Sequence, residues 1–390
     1  MRRCARIPAT PMNATRFLQN ALVVLVSLLL SLLAAEGVVR LTPLGNIHVA
    51  ETDNHFRFYE FDPRLGWKNA AGRHGRLTRK EFSYDVSINS HGMRYREVQR
   101  RKPPGVTRVA VLGDSFVWGI GVADSERFTE LVEERSNGKY ELLNFGVSGY
   151  GPIQYSLIFD EIVTGFQPDV VLLTFCLIND FVDNVFWCRA KYYKPYVLES
   201  PGPDVVIAGY PLPRIGVFTR GLPTDWLADY SRLYTLATSS VNRAAASLQD
   251  HGQAGLIGAD ELQKDIYFPQ HSPDAADFAE RMVAINTKVL TQIRDKARAH
   301  DVPLAVVVAP TRYEYESAFP KQKKGPNMNA RDHLLETLKE LGIPAIDSTD
   351  AIDMSDFWKY DMHWRPSGHA KIADGILDWL NTSGLPTARP

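Results

Sequence analysis

The stretch that decides the fold is Arg108-Val-Ala-Val-Leu-Gly-Asp-Ser-Phe-Val-Trp-Gly119. Val109 to Leu112 make an unbroken apolar run that ends in Gly113. Such a run reads as a parallel strand covered on both faces. A helix-compatible segment follows at once. In open α/β sheets the chemistry sits just beyond the carboxyl ends of strands. Ser115 is therefore expected at the sheet edge with its hydroxyl exposed. Its amide would lie at a helix N-terminus, where it can donate to a developing negative charge. Gly-Asp-Ser is also an ordinary turn and N-cap sequence, so its meaning depends on what lies downstream.

Downstream the strand and helix rhythm continues. Tyr140-Glu-Leu-Leu-Asn144 reads as a second strand, closed by Phe145-Gly146. Helical spacing runs from about residue 152 to 165. Val170 to Phe175 reads as a third strand, ending in Cys176-Leu-Ile-Asn179-Asp180. A long amphipathic helix is expected over 274–300, a fourth strand over 303–309, a helix over 329–341 and a short fifth strand over 343–346. Asp361-Met-His363-Trp-Arg-Pro-Ser-Gly368-His then leads into a closing helix to about residue 380. Alternating strands and helices mean parallel βαβ units, and here they predict a three-layer α/β domain with a doubly wound sheet of about five strands.

Two regions interrupt that scheme. Residues 42–105 are polar and aromatic and read as a β-rich extension packed on the main domain; Tyr84-Asp-Val-Ser-Ile88 alternates like an edge strand. Arg101-Lys-Pro-Pro-Gly105 marks the boundary, so the main domain is expected over 106–385. Residues 181–272 break the rhythm with many Pro, Gly and aromatic residues, among them Tyr192, Tyr193, Tyr196, Tyr210, Trp226 and Tyr230. Long structureless loops are rare in compact domains, so this is read as an insertion over the sheet edge, partly helical near 234–248. Its aromatics suit either stacking on sugar rings or a small core of the insertion's own.

The first residues carry Arg2, Arg3, Arg6 and Arg16 and no acid, and residues 17–35 hold no charge. About twenty apolar residues span a bilayer as a helix. Positive charge ahead of the span predicts a cytoplasmic N-terminus with the remainder exported. Leu33-Ala34-Ala35 is a poor match to a small-x-small cleavage site. Residues 1–41 are thus read as an uncleaved signal anchor, with the functional domain extracytoplasmic. A formal net charge of −1 in 390 residues gives no electrostatic case for nucleic-acid binding. Of the three cysteines, Cys4 precedes the apolar span, while Cys176 and Cys188 either pair in an oxidising compartment or remain thiols.

Placed side by side, the strand ends bring Ser115, Gly146, Asn179 and the pair Asp361 and His363 to one edge. Acyl transfer needs a nucleophilic hydroxyl, a base, a carboxylate to orient the base, and donors for an oxyanion. In these blocks the sequence resembles the SGNH/GDSL hydrolase superfamily: Gly113-Asp114-Ser115, the Gly of Asn144-Phe-Gly146, the Asn of Ile178-Asn179-Asp180, and Asp361-x-His363, in that order. The likeness covers roughly residues 108–180 and 303–380. It implies a flavodoxin-like SGNH fold, Ser115 as nucleophile, His363 as general base and then acid, and Asp361 orienting His363. It also implies an oxyanion hole from the amides of Ser115 and Gly146 and the side chain of Asn179.

Two departures stand out. The family's last block is usually Asp-x-x-His, whereas one residue separates Asp361 from His363; the shorter spacing resembles a variant in exopolysaccharide acetyl-transfer relatives. Asp356 or Asp353 could supply the carboxylate instead. The first block also lacks the common Leu after Ser, with Phe116 in its place. His369 reads as a surface or packing residue at the start of the closing helix, and His363 and His369 show no metal-ligand spacing. No Gly-x-Gly-x-x-Gly or Gly-Lys-Ser/Thr follows the first strand, which disfavours nucleotide binding. The expected activity is hydrolysis of acyl esters, O-acetyl groups on envelope or extracellular carbohydrate in particular, with no cofactor and a membrane tether. The alternatives are O-acyl transfer to a polysaccharide hydroxyl, lysophospholipase or thioesterase action, and non-catalytic polysaccharide binding.

Overall fold

The structure, a computed structural model, describes residues 14–42, 58–177, 179–189, 192–212, 227, 231–234, 236–237, 273–315 and 330–384. The chain divides into two units, one of residues 1–52 with 226–251 and one of residues 53–225 with 252–390.

In the first unit, helix α1 spans Ala14–Leu41. Its Thr15–Leu41 stretch is long and apolar enough to cross a membrane. The single acid near its end, Glu36, accepts hydrogen bonds from the Ser231 hydroxyl and from the amides of Arg232 and Leu233. The helix expected near 234–248 falls mostly outside the described residues.

The second unit is built on a five-stranded parallel sheet. Its strands are β5 (Thr107–Gly113), β6 (Tyr140–Gly146), β7 (Val170–Cys176), β12 (Leu304–Ala309) and β13 (Ala345–Asp347). Their spatial order is β13-β12-β7-β5-β6. The order reverses at β5, which pairs with β6 on one side and β7 on the other. That reversal opens a crevice at the carboxyl ends of the strands, where α/β folds of this kind place their chemistry.

The continuous apolar runs have a direct cause, because both faces of the sheet are covered. On β5, Ala110 and Leu112 face one core and Val109 and Val111 the other. The first core receives α4 (Pro152–Phe166), α6 (Pro273–Ala299) and α7 (Ala330–Leu341) through residues such as Ile153, Ile285 and Leu334. The second receives the short α2 (Ser115–Trp118), α3 (Phe128–Arg135) and α8 (Pro366–Thr382) through Phe116, Phe128 and Ile372. Fully burying one such Val or Leu contributes about 1.5–3 kcal/mol.

The extension forms two antiparallel hairpins, β1 (Tyr59–Asp62) with β2 (Gly66–Asn69), and β3 (His74–Thr78) with β4 (Ser83–Ser87). Phe58, Trp67, Leu77, Phe82 and Tyr84 join the same core as α4 and α6. Within the insertion region lie α5 (Asp180–Asp183) and four short strands, β8 (Cys188–Arg189), β9 (Tyr192–Tyr193), β10 (Tyr196–Leu198) and β11 (Val206–Ala208). They pair as two antiparallel ribbons. Trp226 and Tyr230, two aromatics the sequence singled out, lie outside the described residues.

Candidate active site

The site begins at the end of β5. Asp114 caps α2 by accepting from the Phe116 amide at 2.9 Å, so Ser115 occupies the first turn with its hydroxyl at the crevice. Gly119 closes this one-turn helix at φ 84°, a left-handed conformation that suits glycine. A Cβ there would also lie 2.4 Å from Cδ of the buried Arg127. Arg94, fully buried, holds the same turn by donating to the carbonyls of Trp118, Gly119 and Val122.

From the other end of the chain, His363 reaches Ser115: Nε2 lies 2.7 Å from the serine Oγ. On its far side Nδ1 lies 2.5 Å from Asp361 Oδ1, which also accepts from the His363 amide at 3.1 Å. With Nδ1 protonated toward the carboxylate, Nε2 is left as the acceptor of the serine proton. The Phe116 ring stacks obliquely on the imidazole at 4.9 Å and edge-on against Trp364 at 4.6 Å. Phe116, which stands where the family's common form has Leu, therefore packs directly against the His363 imidazole. The one-residue spacing of Asp361 and His363 suffices for a direct contact.

The other carboxylates are engaged elsewhere. Asp356 accepts from Lys371 Nζ at 2.6 Å, and Asp353 caps the turn before it. Burial alone would raise the Asp361 carboxyl, but the facing imidazole and the Arg79 guanidinium reverse this and hold it well below the usual carboxylate range. Asp361 is thus held in its ionised form.

Two of the five expected residues do something different from what the sequence suggested. The Gly146 N–H donates to the side chain of Asn144 at 3.0 Å. A Cβ at Gly146 would lie 2.3 Å from the Trp118 backbone nitrogen, so glycine is needed there for close approach of β6 to α2. The Asn179 side-chain amide donates to Asp183 Oδ2 at 2.8 Å and to Asp180 Oδ1 at 3.2 Å. In this structure both donors are taken by neighbouring side chains. Among the described residues the N–H groups of Ser115 and Gly149 make no hydrogen bond; Gly149 sits at φ 80° in the loop after β6. Sequence reading passed over Gly149, one of three glycines packed into Gly146-Val-Ser-Gly-Tyr-Gly151, because spacing alone does not rank them.

Behind the site lies a buried acidic group. Asp180 is pushed well above its ordinary value by burial and by Asp114 and Asp183. Asp183 faces Lys194 from the insertion at 3.2 Å, with both side chains fully buried. Cys176 is a buried thiol whose Sγ donates to Asn179 Oδ1 at 3.1 Å, while the side chain of Cys188 lies outside the described residues. His369 is not at the surface. It is buried, accepts from the Phe128 amide and stacks on the Phe128 ring.

The extension supplies residues that sequence reading missed. Arg79 donates to Asp361 Oδ2, and Glu81 accepts from the amides of Lys359, Tyr360 and Asp361 at 2.9, 2.7 and 3.1 Å. Asn69 donates to the Gly146 carbonyl, and Trp67 donates through Nε1 to the Ser148 carbonyl. The Tyr84 hydroxyl accepts from the Gly121 amide.

Several solved structures are similar to this chain at a distance. An acetyl xylan esterase, AlAXEase, is 14% identical, with 70% of this chain and 99% of that chain covered and a TM-score of 0.37. The psychrotrophic esterase EstA from Pseudoalteromonas sp. is 12% identical, with 71% and 100% covered and a TM-score of 0.34. A GDSL-like lipase from Bacteroides thetaiotaomicron is also 12% identical, with 71% and 89% covered and a TM-score of 0.33. A lipolytic protein from Desulfitobacterium hafniense is likewise described as of the G-D-S-L family, at 11% identity and a TM-score of 0.35. No family model and no curated protein matches the chain. The likenesses are remote, and the reading of the site rests on the chain's own geometry.

Proposed function

We propose that the chain is a serine ester hydrolase, and the observation that carries this is the unbroken contact series Ser115 Oγ, His363 Nε2 and Nδ1, Asp361 Oδ1. Ser115 Oγ attacks the ester carbonyl carbon while its proton passes to His363 Nε2. The bond to the leaving alcohol then breaks, and the alcohol departs with that proton. Water attacks the acyl-enzyme, again giving a proton to His363, and the acid and the serine are released. We assign the oxyanion to the Ser115 and Gly149 amides, whose N–H groups make no hydrogen bond among the described residues, and Asn179 joins them only if its amide leaves Asp183.

The substrate class we favour is an acyl ester on carbohydrate, O-acetyl in particular, met outside the cytoplasm with α1 as the tether. What supports the location is the apolar Thr15–Leu41 stretch behind an arginine cluster. Hydrolysis of p-nitrophenyl acetate, butyrate and octanoate by the full chain and by Ser115→Ala tests the reaction. Activity confined to the wild type and favouring acetate supports the reading, and equal activity in both sinks it. Acetylated oligosaccharide with an added acceptor sugar then separates release to water from transfer to a hydroxyl.

A further inference from the structure

We infer that Arg79, from the turn between β3 and β4, is a positioning residue of the active site, acting on His363 through Asp361; this rests on the serine reading above. Asp361 uses Oδ1 for the imidazole and for the His363 amide, and Oδ2 for the Arg79 guanidinium. With both oxygens committed, the carboxylate cannot turn about its own axis. The imidazole is thereby fixed in the orientation that points Nε2 at Ser115.

This is not an ordinary surface ion pair, because the Arg79 and Asp361 side chains are only 19% and 11% exposed. Solvent screening and side-chain freedom, which make exposed pairs weak, are both reduced there. The same turn sets the backbone beneath the carboxylate. Glu81 gathers three successive amides ending at Asp361. The turn itself is closed by the Arg79 amide donating to the Phe82 carbonyl at 2.9 Å, and the Phe82 ring packs on Trp358 at 5.4 Å. A four-residue turn of the extension thus fixes both the side chain and the main chain of Asp361.

Reaction with a fluorophosphonate probe tests this without presuming a substrate. Ser115 Oγ forms a bond to phosphorus, the phosphorus–fluorine bond breaks, fluoride leaves, and His363 takes the serine proton. Labelling of the full chain over a range of probe concentrations separates the maximal rate from probe affinity, and thermal unfolding of each variant checks the fold. Arg79→Gln should lower the maximal rate about 10²-fold, the cost of a misplaced catalytic group, and leave affinity unchanged. Arg79→Lys should recover part of it. On an Asp361→Asn background Arg79→Gln should cost nothing further, since its effect runs through that carboxylate.

A wild-type labelling rate in Arg79→Gln, or an equal loss on both backgrounds, overturns the inference while the serine reading stands. Labelling that survives Ser115→Ala overturns both. Should Arg79→Gln lose its cooperative unfolding, Arg79→Lys is compared on the same two backgrounds. A smaller loss that disappears with Asp361→Asn supports the inference, and no loss overturns it.

Discussion

At the scale of single residues, the sharpest expectations concern the base and its surroundings. Asp361→Asn keeps the shape of the side chain but removes the acceptor charge. It should lower kcat for p-nitrophenyl acetate by about 10⁴, because the imidazole loses its orienting partner. His369, by contrast, bears on stability. Burial first, and then Arg127, Arg94 and His363, depress it from 6.5 to about 3. The unfolded chain therefore takes up a proton near pH 6.5 that the folded chain refuses until about 3. The stability this group contributes is complete above 6.5 and falls across that window by about 1.4 kcal/mol per pH unit. His369→Gln, which keeps an acceptor for the Phe128 amide, should flatten the pH dependence of urea unfolding between pH 7 and 5. An unchanged slope would show that other groups carry it. Gly146→Ala tests the close approach at β6: the added methyl meets backbone atoms of Val117 and Trp118. We expect a loss of about 1–3 kcal/mol in unfolding free energy.

At the scale of elements, what could be read in advance follows from how far apart the interacting residues lie in the chain. The strands β5, β7 and β12 were legible because helices cover both faces and force largely apolar runs; β6, broken by Glu141 and Asn144, and β13, with only three residues, were legible mainly from their place in the rhythm. Ser115 and the His363 pair were legible because each is a local pattern at a strand end or before a helix. Arg79 was not, since it meets Asp361 across 282 positions and sits in a hairpin turn where Arg has no special meaning. Gly146 is hard to read for a related reason. Glycine serves close contact and donor exposure alike, and the sequence does not show the nearness of Trp118 that makes a Cβ at this position crowded. The hairpin β1–β2 offers a test at this scale. Asn69 bridges the Trp118 indole and the Gly146 carbonyl, so Asn69→Leu leaves buried polar groups unpaired. It should cost about 1–3 kcal/mol in stability, read as a lower thermal midpoint of the full chain.

At the scale of the whole molecule, the extension and the sheet belong to one unit, and β2, β4 and the β3–β4 turn each touch a loop at the carboxyl end of the sheet. The helix α1 lies in the other unit and brings an apolar surface of its own. The full chain should therefore float with phosphatidylcholine vesicles on a density gradient, whereas substitution of Leu25, Leu29 and Leu32 by Asp should leave it at the bottom. Flotation of the substituted chain would mean that another surface binds lipid.

The distance along the chain between Arg79 and His363 also orders events in time. His363 follows Ser115 by 248 positions, so the hairpin turn and Ser115 leave the ribosome well before it. On the proposed reading, the imidazole reaches Ser115 only once β13 and α8 have settled against the sheet, and the serine would gain its reactivity at that late step of folding.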